Sequence, residues 1–245
     1  MSVKVVLVDI NPKIVKAWRQ TFEENPEVEI VSGSMLDRKE MAWVTPTNSR
    51  GSMDGGLDLL IKNTLGAQIE RRVQQEIARI WRGSLPVGCA ICVPTGRDAP
   101  RFLISTPTMG NSSENISDKL NVALACAAAF QAVRMQNRIE PNSITSIALP
   151  GLGANTGKVP AEICADLMWT GYNLFLNNDF ADFKAMRQAL EAELGQLDAG
   201  DASFSPSPSS SSFSTQSPPP SFATPPKPAA TPSHKTIDMD FDDSD

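Results

Sequence analysis

Apolar and polar positions follow two rhythms through the first 194 residues. Residues 3–8 form an apolar run broken only by Lys4, the pattern of a strand buried on both faces. The run ends at Asp9-Ile-Asn11-Pro12, where Asn11 can cap a helix that has proline at its first position. A helix over 13–24 follows, with Ile14, Val15, Trp18 and Phe22 at helical spacing. Residues 27–32 alternate as a second strand, and 41–45 form a third. Helices are predicted over 57–65 and 67–81, parted by Gly66, then strands over 87–93 and 102–106. A long alanine-rich helix over 117–137 leads to a strand at 143–149, a helix at 161–176 and a last, polar-faced helix at 181–194. This alternation predicts an α/β domain with a largely buried sheet between helices. In such folds ligands gather at the loops leaving the strand ends. No internal repeat is present.

Near Gln196 the composition changes to Ser, Pro, Thr and Ala, with almost nothing branched or apolar to bury. The chain is therefore expected to divide into a domain over 1–195 and a disordered Ser/Pro-rich linker with an acidic tip over 196–245, because such a segment cannot offset its ordering entropy. Of the formal net charge of -6, the tail carries most: seven acids stand there against Lys227 and Lys235. The domain is nearly neutral, which excludes a broadly basic nucleic-acid-binding face. The tip, Ile237-Asp-Met-Asp-Phe241-Asp-Asp-Ser-Asp245, sets apolar side chains among acids. It reads as a tethered docking peptide for a protein partner or as a solubilising end, and its form is similar to the acidic tips of single-stranded-DNA-binding proteins.

Two loops carry the chemistry. The first, Val44-Thr-Pro-Thr-Asn48-Ser-Arg-Gly-Ser-Met-Asp54-Gly55-Gly56-Leu57-Asp58, places an amide, two glycines and a carboxylate between a strand and a helix. Asn48 can donate and accept hydrogen bonds, Gly55 and Gly56 admit a ligand close to the backbone, and Asp58 can hold a hydroxyl or a water. The second, Pro150-Gly151-Leu-Gly153-Ala-Asn155-Thr156-Gly157-Lys158-Val-Pro160, again joins a strand to a helix start. Its backbone amides, with the positive end of the helix dipole, suit phosphate. Each residue also has a plain structural reading, since Asn-Ser and Asp-Gly are ordinary turn dipeptides and Asp58 is favourably placed in a helix's first turn.

Together the two loops resemble the macro domain family. Its first loop typically reads Asn-Ala-Ala-Asn with an Asp ten residues on, and Asn48 and Asp58 keep that spacing. Its second is framed by prolines as Pro150 and Pro160 are. The resemblance implies a three-layer α/β/α fold with a mixed, largely buried sheet, and ADP-ribose or an ADP-ribosylated substrate as ligand. By position, Asn48 contacts the distal ribose, Asp58 is the acid used in catalysis by some members, and Gly151, Gly153, Asn155, Thr156 and Gly157 hold phosphate. Four positions depart from the pattern. Ser34, in Gly33-Ser34-Met35-Leu36, stands where a carboxylate usually holds the adenine amino group; Thr45 replaces the motif's first Asn; and Asn155 and Lys158 stand where glycines are frequent.

The sole histidine, His234, lies in the tail, so the domain has no imidazole for a Ser-His-Asp triad or for zinc. Hydrolysis of an ADP-ribosyl ester would then use Asp58 to orient water, with the bound pyrophosphate assisting and Asn48 fixing the ribose. No metal or cofactor is called for. Two other classes compete: a non-catalytic reader of ADP-ribose or a nucleotide, and an interaction module whose degenerate pocket takes another nucleotide or a nucleic-acid end. A Rossmann-like domain with Asp9 on ribose lacks its Gly-x-Gly-x-x-Gly turn. Cys89 and Cys92 have Cys-x-x-Cys spacing, yet in a strand over 87–93 they would point to opposite faces, the mark of burial rather than metal binding. No apolar run approaches a membrane span or a signal peptide's core, so a soluble, cytoplasmic protein is expected.

Overall fold

The computed structural model of the protein describes residues 3–112 and 114–200. The expectations for the linker and acidic tip lie, from residue 201 on, outside the described residues. Strand β1 spans Lys4–Asp9 and helix α1 Pro12–Thr21. Asn11 caps α1, its side chain accepting from the Lys13 amide at 3.1 Å with Pro12 inside the first turn. Strand β2 (Val28–Ser32) is followed by a 3-10 turn, Met35–Asp37, which no apolar periodicity announces and which the Ser34 hydroxyl caps. The remaining elements are β3 (Ala42–Thr45), α2 (Gly56–Leu65), α3 (Gln68–Trp81), β4 (Ile91–Pro94), β5 (Phe102–Ser105), α4 (Asn121–Ile139), β6 (Ser146–Leu149), α5 (Ala161–Asn177) and α6 (Phe183–Gly200).

The six strands make one sheet in the order β2-β1-β6-β3-β5-β4. The first five are parallel and β4 is an antiparallel edge, so the sheet is mixed. Val5 pairs with Val28 and Ile147, and Ala42 with Ile147 and Phe102. Every residue of β3 and β5, and all of β1 but Lys4, is buried. Strands buried on both faces require helices on both, which is the three-layer α/β/α arrangement. Helix α5 packs between α1 and α4, and α4 also packs with α6, while α2 packs with α3 and α3 lies against β4. The core includes the fully covered Trp18, Trp43, Phe130, Leu7 and Ile14, and each such side chain contributes about 1.5–3 kcal/mol by leaving water.

Two expected strands are shorter than their apolar runs. Pro86 accepts from the Cys89 amide and Gly88 takes φ +87°, so residues 86–89 turn and β4 starts only at Ile91. Cys89 therefore sits in a turn before the strand rather than within it, and both cysteines are free. Ser143 closes the end of α4 through Glu140, which delays β6 to Ser146. Among the described residues no helix is long and apolar enough to cross a membrane.

Candidate functional site

Because β2, β1, β6, β3 and β5 run parallel, their C-terminal ends share one edge of the sheet. From that edge leave the Ser34 turn, the Asp9 turn, the 150–160 loop, the 46–55 loop and a long segment over 106–120. This is where ligands of such sheets bind. All the candidate residues read from the sequence belong to these exits or to the first turn of α2.

The 46–55 loop is held from several sides. Asn48 is 8% exposed; its Oδ1 accepts from the amides of Arg50 (3.0 Å) and Ser52 (3.2 Å), and its Nδ2 donates to Ser112 Oγ (2.9 Å). The Ser49 amide donates to the Met109 carbonyl at 3.1 Å. Gly51 has φ +68°, and a Cβ there would meet Val73 Cγ1 at 2.6 Å, so only glycine lets the loop lie against α3. From α3, Glu70 accepts from the Met53 amide at 2.7 Å and pairs with Lys62 at 3.1 Å. Burial pushes the Glu70 carboxyl up, but the Met53 amide and the Lys62 ammonium outweigh it and hold it below the ordinary value. Gly55 and Gly56 open onto free space at the start of α2, which has no side-chain cap.

Asp58 lies in the first turn of α2, half-buried. Thr45 Oγ1, at the end of β3, donates to its Oδ1. Burial, reinforced by the charge of Asp54, pushes the Asp58 carboxyl up to about 6 against the lowering effect of that hydrogen bond. Among the described residues nothing donates to its other oxygen. An acid so raised changes protonation near pH 6 rather than near its ordinary 3.8.

In the 150–160 loop, Gly151 is buried and its amide donates to Asp9 Oδ2 at 3.0 Å; Asp9 Oδ1 accepts from the Asn11 amide at 2.8 Å. The Asp9 carboxylate thus fastens two turns together, which leaves the Rossmann-like role on ribose without its acceptor. Gly153 has φ +75°, and the second left-handed position is taken by Lys158 (φ +59°), not by Asn155. Asn155 and Thr156 are exposed, and among the described residues nothing accepts from their amides. The loop delivers the chain to α5, a helix of 17 residues whose positive end faces the same edge.

What joins the two loops lies in a stretch that sequence reasoning left unassigned. Met109 bridges to Asn48 and Ser112 takes the Asn48 amide, while seven residues after Met109 the Ile116 amide donates to the Gly157 carbonyl at 3.0 Å. The fully buried Ile116 side chain sits on Gly157, where a Cβ would approach it to 2.7 Å. One segment therefore holds Asn48 at one end and Gly157 at the other. The available signal was a lone isoleucine in the polar run Asn-Ser-Ser-Glu-Asn-Ile116-Ser-Asp. Ser34 lies past the end of β2, its oxygen accepting from the Leu36 amide at 3.1 Å, and the neighbouring Gly33 amide donates to the Asp9 carbonyl.

Comparison with known proteins matches the profile described as Macro domain to residues 44–168. A protein of Aquifex aeolicus (strain VF5), described as uncharacterized, is 30% identical over 142 residues, covering 58% of this chain and 78% of that one. The chain belongs to the macro domain family. Among solved structures, the macrodomain of Mycobacterium tuberculosis DarG is 22% identical with a TM-score of 0.44, covering 68% of this chain and 89% of that chain. The Oceanobacillus iheyensis macrodomain, solved with ADP, is 18% identical with a TM-score of 0.47, covering 67% and 90%. The profile match in this macro domain opens at Val44, one residue before Thr45, and closes inside α5. It takes in both loops and Asp58, whereas Asp9, Ser34 and the elements β1, α1 and β2 precede it.

Four free cysteines complete the inventory. Burial pushes the thiols of Cys89, Cys92 and Cys164 up to about 12, the state of small apolar side chains rather than of nucleophiles. Among the described residues no three of His, Cys, Asp and Glu lie together in a metal-holding group.

Proposed function

We propose that this macro domain binds the ADP-ribosyl group and hydrolyses an ADP-ribosyl ester, with Asp58 orienting the attacking water. The observation that carries the proposal is the Asp58 carboxylate, raised toward neutrality, fixed by Thr45 on one oxygen and open on the other, beside the exposed backbone of Gly55 and Gly56. Macro domains bind ADP-ribose, and the groups lining this edge suit each part of that ligand. The amides around Asn155 and Thr156, Gly153 and Gly157 at the head of α5 suit the diphosphate. Asn48 and the glycine pair suit the distal ribose, and Ser34 offers a neutral hydroxyl toward the base. With no histidine in the domain, the bound pyrophosphate assists the ionised Asp58 in activating water.

Calorimetry with ADP-ribose, followed by product release from O-acetyl-ADP-ribose or from an ADP-ribosylated protein, tests this reading. Asp58→Asn is expected to lower kcat by about 10²–10⁴-fold while leaving the affinity for ADP-ribose within a few-fold. Release by the wild type should rise with pH through about 6 as Asp58 ionises. Equal loss of binding and turnover would assign Asp58 to ligand positioning.

A non-hydrolytic reader of ADP-ribose is favoured by one feature. Both polar atoms of the Asn48 side chain already serve the loop, through Arg50, Ser52 and Ser112, as in a site built for shape rather than turnover. Binding without product after long incubation would decide for the reader.

A further inference from the structure

Asp58 behaves unlike an acid that merely complements a helix start. A first-turn carboxylate complements a helix start by its charge or by turning back to the free amides of its own helix; among the described residues Asp58 accepts from none of those amides, and α2 has no side-chain cap. It reaches instead across to the sheet, to a side chain thirteen residues earlier. That side chain, Thr45, is wholly buried. Its carbonyl accepts from the Thr106 amide at 3.1 Å, fastening the end of β3 to the end of β5. The nearby hydroxyls of Thr47 and Ser105 satisfy each other at 2.6 Å, which leaves the Thr45 proton for Asp58.

We infer that Thr45 is a positioning residue: anchored on the sheet, its hydroxyl holds Oδ1 of Asp58 so that the second oxygen alone is presented to water or to a ligand hydroxyl. The inference rests on the reading of Asp58 as the hydrolytic carboxylate. A carboxylate free to turn about its last bond offers water two equivalent oxygens in many directions. One tied by a donor rooted in a strand offers a single oxygen in one direction, and that pre-organisation is the orientational part of catalysis. The same donor favours the ionised form, the one able to accept a proton, against the opposing effects of burial and Asp54.

The test uses the full-length chain with Thr45→Val and Thr45→Ala, which remove the hydroxyl, and Thr45→Ser, which keeps it. The Asp58 carboxyl is followed by carbon-13 NMR from pH 4.5 to 8.5, its signal assigned through Asp58→Asn. Both hydroxyl-free variants should move the Asp58 midpoint upward by about one pH unit, the effect of losing one hydrogen bond to a charged acceptor. In the release assay the acid limb of kcat should move with it while KM changes less than about two-fold, and Thr45→Ser should restore both. A midpoint and kcat unchanged in Thr45→Val and Thr45→Ala would overturn the inference, as would a loss in KM alone. If the wild type releases no product, the hydrolytic reading fails separately, and the titration still decides the contact: a shifted midpoint supports it and an unshifted one overturns it.

Discussion

Asp58 weakens the folded state near neutral pH. Its carboxyl lies near 6 when folded against an ordinary value of 3.8, so between those two values the native chain binds the extra proton. Stability therefore falls as pH rises through that window, and above it the ionised, half-buried group costs about 1–3 kcal/mol. Asn at this position keeps an acceptor for Thr45 and carries no charge. Asp58→Asn is thus expected to raise Tm by several degrees at pH 7.5, with the gain vanishing near pH 4, where the wild type is itself protonated. Thermal unfolding across that range checks it, and a variant less stable at both pH values would contradict the assignment. Asn48 and Asp58 could be named as candidates from the sequence because residue type and a ten-residue spacing survive without knowledge of the fold. The Thr45 hydroxyl was not, because its partner is chosen by how α2 docks on β3.

Most elements lie close to expectation, the short strands β2, β3 and β5 within one residue. β1, the capped α1, α2, α3 and α5 fall within a few residues of expectation, since burial enforces their periodicity. The runs at 87–93 and 143–149 overstated their strands because apolar residues there, such as Val87 and Ile144, serve turns that pack on the core. The helix expected from Ser117 starts at Asn121, since Ile116 is held by Gly157 and the chain after it turns, the Lys119 amide donating to the Ile116 carbonyl. The 46–55 loop depends on its close seat against α3. Gly51→Ala would force a side chain at φ +68° into Val73 and Ile77, both buried, and should destabilise the fold by about 1–3 kcal/mol. Chemical denaturation measures that cost. Affinity for ADP-ribose should drop with it, because the displaced loop carries Asn48, and a variant with native stability would show that the loop is not seated as described.

Across the whole molecule, the site exists only because distant stretches of chain end on one edge of a sheet. Thr45 and Leu149 terminate neighbouring parallel strands, so the loops that follow emerge side by side although about a hundred residues separate them. The segment from Met109 to Ile116 then ties one to the other. The strand order that does this was not readable beforehand; alternation establishes an α/β sheet, but the placing of β6 between β1 and β3 is a tertiary outcome. The arrangement makes a demand on ligand binding that neither loop alone would make. A ligand spanning the edge must suppress opening of both loops at once, with free energy set by its concentration relative to Kd, about 2.7 kcal/mol at a hundred-fold excess. Amide hydrogen exchange with saturating ADP-ribose should therefore slow together at residues 46–56, 109–116 and 153–158, by up to about a hundred-fold where exchange requires local opening. The outer strand β2 and the far end of α3, at Arg79 and Trp81, should be unaffected. Protection confined to one loop would mean that the two do not share a ligand.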